Sequence, residues 1–252
     1  NRTTRRLQIK LSKKFPTNKR LCDFNAQILE KLNLKMTRIK DCPAGKRNPN
    51  PFYSWSSQSS MLVQWIFQVC LGLENHEKTT YNAIRAEWIR NMSRKFKIGF
   101  LQGLADSDGF VDFSAHQVGI IAGPNLELVS KVLKDLKIKH RRWYLVSSKI
   151  WSVVISIKDA YKLPIFSPKV KSYRFEETKL LFKAKRIKGK WPKWLNKKIE
   201  KEINKGFSGT KLVRKILKEE NIAIRPGGIR DKKKRMEKRK KIIILGIECT
   251  AL

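Results

Sequence analysis

Residues 98–110 read Ile98-Gly99-Phe100-Leu101-Gln102-Gly103-Leu104-Ala105-Asp106-Ser107-Asp108-Gly109-Phe110. The apolar residues predict a helix, and Gly99 and Gly103, at i and i+4, share a face that another backbone could approach closely. Asp106 and Asp108 fall at the helix C-terminus, where the macrodipole is negative and carboxylates are disfavoured. A bound divalent cation would offset that cost. Gly109 predicts a sharp turn from helix into strand. A solvated Asp pair followed by an ordinary glycine cap fits the same spacing equally well.

Downstream of this stretch, Phe110–Ala115 and Val118–Ala122 predict two short strands. Leu126–Leu136 predicts an amphipathic helix, Trp143–Val146 and Trp151–Ile157 two further strands, and Asp159–Phe166 a closing helix. Upstream, Arg6–Leu11 alternates as a half-buried strand with a basic face. Leu21–Leu34 then predicts a helix with Leu21, Phe24, Ile28, Leu29 and Leu32 on one stripe. Phe52–Ser56 is strand-like, Met61–Leu73 predicts a core helix, and Tyr81–Met92 a short helix or an ordered connection. The same order of elements thus occurs twice, at a spacing of roughly 115 residues. Ile28-Leu29-Glu30-Lys31-Leu32-Asn33-Leu34 aligns with Val132-Leu133-Lys134-Asp135-Leu136-Lys137-Ile138.

The chain has 252 residues and a formal net charge of +36. A compact body with that charge repels itself unless a polyanion is near. Hydrophobic residues make up 41%, with 7 Trp and 12 Phe, too many for a disordered basic tail. Nucleic acid is the expected polyanion. Residues 183–241 hold 24 Lys and Arg against 6 Asp and Glu, which is half of the net charge. Within them Trp194–Ile203, the turn Lys205–Gly209, and Thr210–Glu219 with Ser208 as N-cap lay out helix, turn, helix. Asn221–Gly228 then leads into a very basic third helix. A solvated basic linker is the plainer alternative. Cys22, Cys42, Cys70 and Cys249 form no CxxC pair, which argues against structural zinc and a disulfide framework. No apolar run reaches the roughly 18 residues of a membrane span, and no signal peptide opens the chain. An intracellular, soluble protein with no membrane partner is expected.

Leu101–Gly109 (LQGLADSDG) resembles the LAGLIDADG signature of the homing endonucleases, sharing Leu101, Gly103, Leu104, Asp106, Asp108 and Gly109. With its flanking order of elements the resemblance covers about residues 5–182. It implies an α+β fold of two pseudo-symmetric αββαββα halves, the first without its signature helix in this chain, followed by a small all-α basic module. The divisions would be 1–95, 96–182, 183–241, and a start of a further strand or domain at 242–252. The resemblance further implies that signature helices pack through Gly99 and Gly103, with Asp106 structural and near that packing. A saddle of strands would lie in the DNA major groove. Asp108 would hold Mg²⁺ or another divalent cation for hydrolysis of the phosphodiester. By position, Lys171 and Lys78 would be the basic residues near the metal-bound water. Nucleic-acid contacts would come from Arg5, Arg6, Lys10, Arg141, Arg142, Lys149, Arg225, Arg230, Lys232 and Lys233.

The sequence also departs from that pattern. It holds one signature helix where two are needed, so a second motif is expected upstream of Asn1; the protein is then a pseudo-symmetric monomer, and otherwise a dimer. Phe110–Val118 carries no Lys or Arg, unlike a reading hairpin, and Ala122-Gly123-Pro124 stands where small polar residues are usual. His76, His116 and His140 read as surface or core histidines, and Trp55, Trp65, Trp143 and Trp151 as core. Ile242–Ala251 has a buried-strand pattern and resembles the opening of the tRNA threonylcarbamoyladenosine synthase family. Two functions remain open. One is a site-specific, metal-dependent endonuclease acting on double-stranded DNA. The other is a catalytically lapsed descendant serving as a DNA-binding regulator or an intron-RNA maturase.

Overall fold

Serine hydroxyls begin three of the helices, each accepting a backbone N–H three residues on. Ser60 Oγ accepts from Val63 (3.2 Å), Ser93 Oγ from Phe96 (3.3 Å) and Ser156 Oγ from Asp159 (3.1 Å). The computed structural model describes the chain outside residues 1–6, 14–16, 35–39, 45–49, 59, 75, 78–80, 147–148, 169–171, 188–189, 208 and 250–252. For residues 239–249 it describes the backbone alone.

A first unit contains β1 (Gln8–Ser12), α1 (Thr17–Lys31), β2 (Lys40–Cys42), β3 (Phe52–Ser56) and α2 (Met61–Trp65), which continues as a π turn over Ile66–Cys70. Its antiparallel sheet runs β1-β3-β2. A 3₁₀ turn at Glu87–Asn91 leads into α3 (Arg94–Asp108). Then follow β4 (Phe110–Asp112), β5 (Gln117–Ile121), α4 (Leu126–Asp135), β6 (His140–Leu145), β7 (Ile150–Ser156) and α5 (Ile157–Lys162). This sheet is antiparallel in the order β4-β5-β7-β6. Apart from α3 and β4, the two units correspond: β1-β3-β2 repeats as β5-β7-β6, α1 corresponds to α4, and the Ser60 and Ser156 caps start the helices after corresponding strands. The repeat expected from the sequence is present.

The two units are not equally closed. In the second, Val111, Val118, Ile120, Val153 and Ile155 occupy the sheet face that α3 and α4 cover, and all are buried. In the first, Leu21, Cys22, Leu34, Trp55, Val63 and Leu73 are buried. Phe24, Ile28 and Leu32, expected on the buried stripe of α1, are exposed at 43%, 42% and 49%. The three-stranded sheet takes the Leu21–Cys22 side of α1 and leaves that row uncovered. The expected core helix at 61–73 is likewise a half-exposed α-to-π segment, with Met61, Trp65 and Val69 outward and Val63 and Leu73 inward.

Three other boundaries differ from expectation. The strand from Phe110 stops at Asp112, because Asp112 Oδ1 accepts the N–H groups of Ser114 (2.8 Å) and Ala115 (3.1 Å) and closes a turn. The helix expected from Asp159 starts at Ile157, behind its Ser156 cap, and ends at Lys162. Gly109 caps α3 with φ −74°, so no left-handed residue is used. Close approach demands glycine there instead: a Cβ would stand 2.4 Å from Ala105 O and 2.7 Å from Phe166 Cε1.

Beyond α5 come α6 (Ser172–Lys183), β8 (Lys185–Arg186), α7 (Lys193–Asn204), α8 (Gly209–Glu220), β9 (Ile222–Ala223) and α9 (Pro226–Cys249). The helix, turn, helix, basic helix order is as expected, with a short parallel β8–β9 pair added. Gly206, at φ +87°, ends α7, while Phe207 N–H bonds to Glu202 O. Ser208 lies outside the described residues. Of the strand expected at 242–251, residues 242–249 are instead helical and the rest lies outside the described residues: α9 runs unbroken to Cys249, since no proline or turn residue separates Ile242–Ile244 from the Lys-rich helix before it. Among the described residues no helix is long and apolar enough to cross a membrane.

One hydrophobic core extends from Ala86 to Ile229 and takes in both the second unit and the C-terminal helices. Leu181, Leu195, Ile199, Leu212, Val213, Ile216 and Ile229 join Val118, Ile155 and Ile165 in it. The core crosses residue 183 without interruption.

Candidate nucleic-acid interface

The two acids of α3 have separate environments. Asp106 is buried, and its Oδ1 accepts the N–H of Ser167 at 3.0 Å, tying the end of α3 to the chain after α5. Gln102 Nε2 donates to Pro164 O at 2.6 Å on the same side. Asp108, two residues further, is exposed. Gly99 and Gly103 are exposed too, and a Cβ at either would meet nothing within 4 Å. Among the described residues, the close packing expected of them is not seen: the two glycines share an open face.

The sheet of the second unit has one face under α3 and α4 and one face free of helices. Arg142 lies on the covered side, where its guanidinium pairs with Glu127 of α4 at 2.5 and 2.8 Å. His140 is on that side as well, bonded to Ser130 Oγ at 2.7 Å and Ile138 O at 2.9 Å, a structural histidine as expected. Arg141 and Trp143 alternate with them onto the helix-free face. Arg141 donates to Gln117 Oε1 at 2.9 Å. Trp143 meets Phe110 edge-on at 6.2 Å, and the Phe110 ring lies directly over Gly119, where a Cβ would come within 2.2 Å of it. That face therefore presents Phe110 and Trp143 beside a single arginine. Of the four tryptophans expected in the core, Trp55 is there, whereas Trp65, Trp143 and Trp151 are exposed at 52%, 39% and 44%. The period-two alternation from His140 carries that signal: Trp143 falls with Arg141, opposite His140 and Arg142.

Other expected contact residues are scattered. Lys149 sits at the β6–β7 turn with φ +50°, exposed. Lys10 projects from β1 of the first unit, its Nζ 5.9 Å from the centre of the Phe52 ring. Arg5, Arg6, Lys78 and Lys171 lie outside the described residues.

The module contributes its cations unevenly. On α8, Arg214 pairs with the buried Glu177 of α6 (2.5 Å) and lies over Phe113 (5.7 Å), and Lys215 pairs with the buried Glu202 (2.5 Å). Their charge is consumed inside the fold. On α9, Lys232 pairs with Glu200 at 2.6 Å and Lys233 lies 3.8 Å from Glu237, while Lys233, Arg230, Lys234 and Arg235 are all exposed. Arg225 is exposed just ahead of α9. The Arg214–Phe113 contact was not visible in the sequence, because nothing in either segment announces the other.

Mg²⁺ prefers one or two carboxylates supplemented by water and substrate phosphates. Asp108 offers one exposed carboxylate, and Asp106 is turned inward to Ser167. Among the described residues no group of three His, Cys, Asp or Glu side chains gathers to hold a metal ion. Among the described residues one exposed carboxylate stands at the end of α3, with no complete set of metal ligands around it.

From α3 to α5 the chain follows αββαββα, with the LQGLADSDG helix first and an antiparallel four-stranded sheet. The second unit thus has the element order expected of a LAGLIDADG unit. No protein-family model matches the chain, and no curated protein does. Among solved structures it is similar to the homing endonuclease I-DmoI in complex with DNA and Mn, at 17% identity and a TM-score of 0.44, covering 64% of this chain and 81% of that one. It is similar also to full-length DUF199/WhiA from Thermatoga maritima, at 16% identity and a TM-score of 0.45, covering 96% and 86%. The N-terminal LAGLIDADG domain of DUF199/WhiA is a third, at 17% and 0.41, covering 71% and 78%.

Proposed function

We propose that this protein is a sequence-specific binder of double-stranded DNA, acting inside the cell as a regulator, in which the LAGLIDADG unit and the basic module engage one duplex together. The observation that carries this reading is the continuous core from Ala86 to Ile229. It fixes the exposed cations of α9 relative to the LAGLIDADG sheet, so that neither part moves independently of the other. The balance of charge supports the same reading. Phosphate contacts from Arg230, Lys233 and Lys234 would supply affinity, while the sheet, with Phe110, Trp143 and Arg141, offers few groups able to read base edges. Selection from a random duplex library with the full chain tests it. Enrichment of one sequence family supports the reading, and recovery of unselected duplex, or tighter binding of structured RNA, counts against it.

Cleavage is a second reading, favoured by one observation: Asp108 is exposed at the end of α3, next to the open Gly99–Gly103 face. A second helix of the same kind on that face, from the same or another chain, would bring a partner acid to Asp108. A divalent cation there would stabilise charge developing on the phosphodiester oxygens. Incubating the enriched duplex with wild-type protein and Asp108→Asn in Mg²⁺ decides between the readings. Cutting by wild type alone supports cleavage, and an intact duplex in both supports a pure binder.

A further inference from the structure

Between the β4–β5 turn and the C-terminal helices lies a cavity of about 880 Å³. Phe113, Ser114 and His116 of the turn form one wall. Arg186, Lys190, Arg225, Lys232 and Arg235 reach it from β8, the segment before α7, and α9. Asp231 is the one carboxylate in the lining. Lys232 is partly neutralised by Glu200, but no described carboxylate pairs with Arg186, Lys190, Arg225 or Arg235. Cations from separate elements that face one concavity without counter-charges repel one another, and the fold retains them there.

The rest of the wall is equally specific. Trp191 presents its indole, and its backbone carbonyl accepts from Asn196 Nδ2 at 2.8 Å. The ring is set close against Gly228, where a Cβ would come within 2.7 Å of it. His116 Nε2 is buried without a hydrogen-bond partner among the described residues. Its imidazole is held below the usual histidine range, first by burial and then by the nearby Arg186, with Asp112 opposing. A buried ring nitrogen left unpartnered beside a set of unpaired cations is an incomplete hydrogen-bond network.

We propose that this cavity binds the phosphate groups of a free nucleotide, a nucleoside di- or triphosphate, with the arginines on the phosphates and Trp191 beside the base. Phosphate oxygens are the groups that guanidinium forks match best. The cavity falls within the range of pockets that enclose small ligands, roughly 300–1,000 Å³. It is lined on one side by the β4–β5 turn and on the other by the C-terminal segments. Because one wall belongs to the LAGLIDADG unit and the other to the basic module, an occupant would touch both parts of the DNA-binding surface. The inference does not depend on whether the protein cuts or binds DNA.

Fluorescence anisotropy of a mant-labelled ATP with the full chain, in magnesium-free buffer, tests it. Saturable binding is expected, displaced by unlabelled ATP and ADP and far more weakly by inorganic phosphate. Arg186→Ala with Arg225→Ala should raise the dissociation constant at least tenfold while leaving the melting temperature unchanged, since both side chains are exposed and carry no described ion pair. Lys31→Ala, in the first unit, should change nothing. Absence of saturable binding would overturn the proposal, as would equal loss in Lys31→Ala. Loss of DNA affinity in the double variant without any nucleotide binding would assign these cations to the duplex backbone and overturn it too.

Discussion

The Asp106 carboxylate accepts the Ser167 N–H at 3.0 Å, joining positions 61 residues apart in the chain. Asp108, one helical step away, faces solvent. Two acids of one short motif thus have different work, one in holding the fold and one at the surface. Asp106→Ala would remove the acceptor of the half-buried Ser167 N–H and should cost about 1–3 kcal/mol. Asp108→Asn, at an exposed position and with the Asp106–Ser167 bond intact, should lose less stability than Asp106→Ala. Thermal denaturation of both variants checks the contrast.

The glycines of the same motif separate in the same way. Gly109→Ala places a methyl group against Ala105 O and Phe166, and should destabilise by about 1–3 kcal/mol. Gly103→Ala lies in an exposed helix interior with open space around it, and should stabilise the isolated chain by about 0.5–1 kcal/mol. Gly103→Ala should then weaken any association through that face, measurable by sedimentation of the two proteins side by side.

Arg214 is the link between the module and the LAGLIDADG unit, since it pairs with buried Glu177 and covers Phe113. Arg214→Met keeps the packing but strands the Glu177 carboxylate, which retains only Arg174 at 3.2 Å. With the Arg214 side chain 39% exposed, a loss of about 1–3 kcal/mol is expected. Because the core is continuous, the unit and the module should still unfold in one calorimetric transition, not two.

His116 makes stability depend on pH. Its folded-state pKa is depressed, chiefly by burial, so the unfolded chain takes up the proton more readily. The contribution is fully present above the ordinary value of 6.5 and is lost as pH falls from there through the folded value. Denaturant midpoints measured across that window should fall towards acid. His116→Gln should flatten this part of the profile.

Much of the second unit was legible in the sequence because its local signals agree with its tertiary contacts. Val118, Ile120, Val153 and Ile155 fall in the expected strands and alternate towards one face, and Gly109 marks the end of α3, whereas the Ser93 and Ser156 caps went unread and the helix after β7 was placed two residues late. The helices of the basic module were legible for the same reason, Gly206 standing where α7 ends. The first unit was read less well: Phe24, Ile28 and Leu32 form a perfect helical stripe, yet no described element covers them. Periodicity reports which residues could share a face and cannot report whether a partner reaches it. The tail failed differently, since a β-branched run following a long uninterrupted helix continued as helix. At the candidate site, Asp108 and the α9 cations stood out in the sequence. Pairing removed other candidates: Arg142 to Glu127 and Lys232 to Glu200 are contacts between segments that no local pattern joins.

The central claim is that the exposed cations of α9 and the LAGLIDADG unit bind one DNA duplex as a rigid whole. The most direct measurement is the slope of log K against log salt for the full chain on its selected duplex. It is compared with the triple variant Arg230→Gln, Lys233→Gln, Lys234→Gln, whose side chains are exposed and whose removal spares the shared core. The account predicts a slope shallower by about 2–3 in the variant, from the lost release of counterions, with an unchanged melting temperature and the same preferred sequence. An unchanged slope would show that α9 does not touch the duplex, and would contradict it.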